Sequence, residues 1–259
     1  MADILAAEWL KLRTARSTRL VAGTVAVLTA LMLALAWSFV ATWDGLPPER
    51  RANAALGSLP ALMGWVLSLV MAVFGTLAIT GECASGMLQT TFLAMPSRAR
   101  VMAAKAVLVG AASFALTMAS LLVTLVGSAA IIGSRPIGGQ TALDAGGVAF
   151  LLAMGASAAM FALVGLGVGA LTRSGIATVV VLALAWYVAP LVAGHIPAPW
   201  GPILSSLVPG ALAGQIAGTG NVNSVFSGLL SPAQAAAVMV AYALVPPIAG
   251  GLALARRDA

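Results

Sequence analysis

The chain has 259 residues, 61% of them apolar and only 8% charged, against about 45–50% and about 25% in a soluble domain. So few charges cannot cover a water-soluble surface, and with a mean hydropathy of +1.05 the expected fold class is an all-α polytopic membrane protein. The net charge of +6 does not mark a nucleic-acid binder, because the thirteen Lys and Arg flank apolar runs instead of forming one basic stripe.

The first nineteen residues place Leu5, Trp9 and Leu12 on one narrow apolar stripe, with Glu8 early and Lys11, Arg13, Arg16 and Arg19 late, the order that suits a helix dipole. This predicts an interfacial helix over 1–19, its Trp at headgroup depth and its bases near anionic lipid. Residues 20–43 then carry no charge before Asp44 and are long enough for a first transmembrane span, which needs about 20 residues. A cleaved leader is not expected, although Ala34-Leu35-Ala36 imitates a cleavage site, because the apolar run continues seven residues beyond it. Gly45 and the Pro47-Pro48 pair break the run, and 61–81 form the second span.

The segment from Gly81 to Lys105 is more than a connection. A helix-forming run over about 84–95 is stopped by Pro96 and followed by a basic turn with Arg98, Arg100 and Lys105. Glu82 stands at the membrane boundary, where an ionised carboxylate needs a partner, so it is expected to pair with a base from the first segment or from the Arg98 to Lys105 turn. Cys83, the single cysteine, excludes an intrachain disulfide and reads as a small apolar residue near a helix end.

Further spans are expected at 106–133, 146–171, 176–194 and 233–255. Gly165 and Gly169 form a small-residue packing face, since no strand precedes them as a nucleotide loop would require. Between the last two spans, 195–232 holds no Asp, Glu, Lys or Arg, which predicts short re-entrant helices shielded by protein, with Gly210, Gly214 and Gly218 permitting close contact. His195 stands alone and reads as structural.

Counted over alternating loops, ten Lys and Arg fall on one side, which includes both termini, and three on the other. Positive charge accumulates in the cytoplasm, so the expectation is a multi-pass cell-membrane protein with six spans and both termini cytoplasmic.

Thr80-Gly81-Glu82, then Gly86, Pro96, Arg98, Arg100 and Lys105, together with Glu8-Trp9 and Lys11-Leu12-Arg13, resemble the permease subunit of bacterial type-two ATP-binding-cassette (ABC) exporters. Position 83 is commonly aromatic in that family and position 87 commonly Thr, whereas here they are Cys83 and Met87. The resemblance implies that the helix after Glu82 is a coupling helix docking on a separate ABC ATPase subunit, with Gly81, Glu82, Gly86, Met87, Leu88, Phe92, Pro96, Arg98 and Arg100 as its functional residues. It also implies a second permease chain, identical or homologous, and ATP-driven export. A pathway short of charge suits a hydrophobic or amphipathic compound such as a drug, lipid or peptide. Met63, Trp65, Phe74 and Met160 are among the residues that could line it.

No Gly-x-x-x-x-Gly-Lys-Ser/Thr occurs, and neither lysine follows a glycine. The chain is therefore not itself an ATPase, and nothing in it asks for a cofactor. An ion-gradient-coupled transporter or channel is the first rival, but it would place ionisable residues inside the spans. An intramembrane enzyme is the second, and it would need paired aspartates, His-Glu-x-x-His, or a serine with a membrane histidine.

Overall fold

The computed structural model describes residues 2–51, 54–94, 97–138, 145–218 and 229–257. Pro96 and the end of the predicted coupling helix lie outside these residues, as does the side chain of Phe92. Among the described residues the chain is helical, with no strand beyond an isolated bridge between Ala55 and Gly138.

Six helices are long and apolar enough to cross a bilayer. They are α2 (Arg16–Gly45), α4 (Leu59–Ser85), α6 (Arg98–Ile132), α7 (Ala145–Thr172), the broken helix Gly175–His195, and α12 (Pro232–Arg257). The broken helix comprises α8 (Gly175–Ala183), a π-helical turn at Leu184–Val188, and α9 (Ala189–His195). Short helices fill the ends: α1 (Ala2–Thr14), α3 (Pro48–Arg51), α5 (Met87–Ala94), α10 (Trp200–Leu207) and α11 (Pro209–Ile216). Large exposed side chains such as Leu20, Trp37, Val107, Ile176 and Leu252 are apolar, the reverse of a soluble surface.

Local chemistry sets the breaks. Ala15 is extended between α1 and α2 and makes an elbow. Ser58 caps α4 by accepting from the Ala61 N–H, with Pro60 in the first turn where its missing donor costs little. Gly86, in the left-handed region at φ 71°, ends α4. As a result α4 runs on through Glu82 to Ser85, and the separate helix begins at Met87 instead of Ala84.

α7 is the hub, packed on α4, α12 and α6. At the α4–α7 seam a Cβ on Gly75 would lie 1.8 Å from the Ala162 carbonyl oxygen, and one on Gly165 would lie 2.1 Å from that of Ala72. Here the two backbones touch as only small residues allow. Gly169 meets Ile79 on the same face, while Gly167 meets the Pro246–Pro247 backbone of α12. Gly165 and Gly169 therefore do form a packing face. Gly218 does not: it lies past the end of α11 at φ 69° with open space around it.

One buried polar face escaped the sequence reading. Ser113, Thr117, Ser120, Thr124 and Ser128 are all buried along α6, and the Ser120 hydroxyl lies 2.7 Å from that of Thr29 on α2. Across the bundle, Trp186 of the π turn meets the edge of Phe161 at 4.2 Å and stacks obliquely near Trp65. Met63, Phe74 and Met160 are buried in the core of the single chain, packed against neighbouring helices. At the end away from α1, Gln215 donates to the Ser206 carbonyl and accepts from the Leu230 N–H, tying α10 and α11 to the approach of α12. His195 sits exposed, its Nδ1 2.7 Å from the Leu191 carbonyl.

Candidate functional site

Both lysines of the chain and two of its three glutamates meet at one end of the bundle. Lys105 enters from α6, its side chain 2% exposed, and donates to Glu8 Oε2 at 2.6 Å and to Glu82 Oε1 at 2.7 Å. Lys11 of α1 donates to Glu8 Oε1 at 2.6 Å and stands 3.6 Å from Glu82 Oε1. Glu8 thus bridges both ammoniums with its two oxygens. Desolvating isolated ions in this way costs several kcal/mol each, so the four charges hold only as a neutral set.

The elements explain the geometry. Glu82 lies in the last turns of α4 and Lys105 in the third turn of α6, and these antiparallel helices bring the two together. The elbow at Ala15 lays α1 against α6, so that Glu8 and Leu12, one turn apart, both face inward. Leu12 joins the core with Val21, Val25 and Phe74. This rotates α1 away from the expected Leu5–Trp9–Leu12 stripe: Leu5 is half-buried, Trp9 is 52% exposed and Arg13 is fully on the outside. Burial pushes the Glu8 carboxyl up, but the neighbouring Lys105 and Lys11 ammoniums outweigh it and hold the group below the usual carboxylate range.

α5 hangs from the same cluster. Lys11 Nζ donates to Thr91 Oγ1 at 3.1 Å, and Thr91 in turn donates to the Met87 carbonyl. Leu88 is buried against Ile79, Met102 and Leu254, whereas Met87 and Leu93 are exposed, Leu93 at 86%. A cavity of about 120 Å³ opens beside the cluster, lined by Lys11, Phe74, Gly81, Glu82, Met87 and Lys105. Glu82 Oε2 makes no hydrogen bond to the described residues.

Of the basic turn, Arg98 donates to the Leu254 carbonyl at 3.0 Å and caps the end of α12, where a cation meets the helix dipole favourably. Arg100 is exposed, as is Gly81. Glu82 therefore finds a base from both places expected of it. What sequence reasoning missed is Lys105 as the pivot. Its signal was a lone cation within the apolar run VMAAKAVLVG, four residues past Val101.

Among the described residues no group of His, Cys, Asp and Glu could hold a metal ion. One salt-bridge network joins α1, α4 and α6, and the Lys11–Thr91 hydrogen bond adds α5 to it. No curated protein matches the chain in sequence. The family model for ABC-2 family transporter proteins matches residues 4–190, which takes in the whole cluster, α5, the first four spans and most of the fifth. The chain therefore belongs to the ABC-2 family of transporter membrane proteins, whose members are ABC transporter permeases and not themselves enzymes.

Proposed function

We propose that this permease is the membrane half of an ATP-driven exporter, in which α5 is the coupling helix that receives the motion of a separate ATPase subunit. Two permease chains, identical or homologous, form the pathway between them, and both termini lie in the cytoplasm, on the side rich in Lys and Arg. α10 and α11 then occupy the outer leaflet as re-entrant helices. ATP binding closes the ATPases, pushes α5 and opens the pathway outward. A pathway with few charges suits a hydrophobic or amphipathic cargo.

The observation that carries this reading is the Lys11–Thr91 hydrogen bond. It connects α5 to the ammonium that also holds Glu8, and Glu8 is bound to Lys105 of α6. A displacement of α5 therefore pulls on α1 and two spanning helices without passing through a flexible loop. Met87 and Leu93, exposed on α5, supply apolar anchors for a partner groove.

Co-purification from native membranes is the test. A tagged chain should recover an ABC ATPase, and Glu82→Gln should impair assembly or the dependence of transport on ATP. Unchanged complex yield and transport in Glu82→Gln would remove the cluster from the coupling route. If no ATPase is ever recovered, the exporter reading fails and an ion-coupled carrier takes its place.

A further inference from the structure

An apolar groove of about 440 Å³ runs between α6 and α12. Ala99, Ala103 and Val107 form one wall and Leu244, Ile248 and Leu252 the other. Small residues create it: Gly251 admits Met102 where a Cβ would stand 3.4 Å from the Met side chain, and the alanines of α6 leave the depth unfilled. Large apolar residues exposed along its α12 rim mark it as facing lipid.

We propose that this groove seats one acyl chain of an anionic phospholipid, with Arg100 and Arg256 on its headgroup. The length argues for a lipid. From Ala99 to Val107 and from Ala243 to Ala255 the lining extends about 12 Å and about 18 Å at 1.5 Å per helical residue. That is about half of a hydrocarbon core of about 30 Å, the depth of one leaflet.

The charges place the headgroup. Arg98 joins the first turn of α6 to the last turn of α12 by donating to the Leu254 and Ala255 carbonyls, which closes the groove at the membrane surface. Arg100 and Arg256 stand exposed at this end, beside the lining residues Ala99 and Ala255, and no Asp or Glu lines the groove. Basic residues at the mouth of an apolar slot between membrane helices select anionic headgroups.

The test uses the full chain in nanodiscs of phosphatidylglycerol and phosphatidylcholine, transferred to detergent and weighed by native mass spectrometry. Wild type should keep one phospholipid per chain, with phosphatidylglycerol preferred by roughly tenfold or more. Ala103→Phe fills the groove at an exposed position and should lose that lipid while its unfolding midpoint stays at the wild-type value. Arg100→Gln with Arg256→Gln should keep one lipid but lose the preference. Retention by Ala103→Phe at wild-type stoichiometry, or an unchanged preference in the double variant, would overturn the proposal. So would disulfide-linked dimers formed by Leu252→Cys in a Cys83→Ser background, since a second copy would then cover the groove.

Discussion

The two ends of the helix bundle are each held by salt bridges, and the better-shaped one is the less consequential. At the end away from α1, Arg135 grips Asp44 as a fork, Nε to Oδ1 at 2.9 Å and Nη2 to Oδ2 at 2.8 Å, and Arg51 lies 4.9 Å over the Trp43 ring. Yet these side chains are 35% and 46% exposed, so water can replace either partner. At the α1 end the lysines meet the carboxylates as point charges, but Glu8 and Lys105 are each 2% exposed. Burial, not bond geometry, decides which end depends on its charges. Removing Lys105 there leaves Glu8 and Glu82 with only the partly exposed Lys11 as a partner.

The sharpest way to break this comparison is Lys105→Met. It deletes the ammonium between Glu8 and Glu82, and removing one partner of a buried network costs about 3–5 kcal/mol. A large fall in the thermal unfolding midpoint in detergent is expected, together with loss of transport. A midpoint equal to wild type would mean that the α1 end is as tolerant as the other. Lys11→Met is the graded version. Lys105 still holds both carboxylates, so the stability loss should be nearer 1 kcal/mol, while the tie to Thr91 is gone. Transport should fall more steeply than stability, measured as ATP-dependent uptake into inverted vesicles against the unfolding midpoint.

The same contrast explains what could be read from the sequence. The six spans were legible because twenty uncharged apolar residues have few other uses in a chain, but the start of α5 was not: the helix-forming run was placed from about Ala84, whereas Gly86 in the left-handed region ends α4 and delays α5 to Met87. The orientation of α1 was not legible. A hydrophobic pattern scores Glu8 as polar and turns the helix toward Leu5 and Trp9. What draws Glu8 inward is Lys105, ninety-seven positions away. Lys105 itself looked like the tail of a basic turn, although α6 begins at Arg98 and carries it well inside the bundle. The π turn at Leu184–Val188, which carries Trp186 against Phe161 and Trp65, left no periodic trace either.

Acid should sharpen the comparison by a smaller effect. The Glu8 carboxyl is held below its usual range in the folded chain, so its contribution is fully present above about pH 4.3, the ordinary Glu value, and is lost as pH falls through the lower folded value. The unfolding midpoint should drop below that window in wild type. Glu8→Gln, already lacking the charge, should start lower and lose less of its stability over the same interval. An equal acid loss in both would place the titrating group elsewhere.

The smallest effect is expected at the exposed end. Asp44→Asn removes the charge that Arg135 grips but keeps an acceptor oxygen in nearly the same place. Arg135 also donates to the Ile131 and Ile132 carbonyls at the end of α6 and retains those bonds. Parallel contacts hold this end independently of the pair: the Leu56 N–H donates to the Gly138 carbonyl, and Leu56, Leu59, Ile132 and Ile137 form a small core with Trp43. The unfolding midpoint and transport of Asp44→Asn should therefore match wild type within error. A loss approaching that of Lys105→Met would show that a solvent-exposed fork can matter as much as a buried network, and the contrast between the two ends would fail.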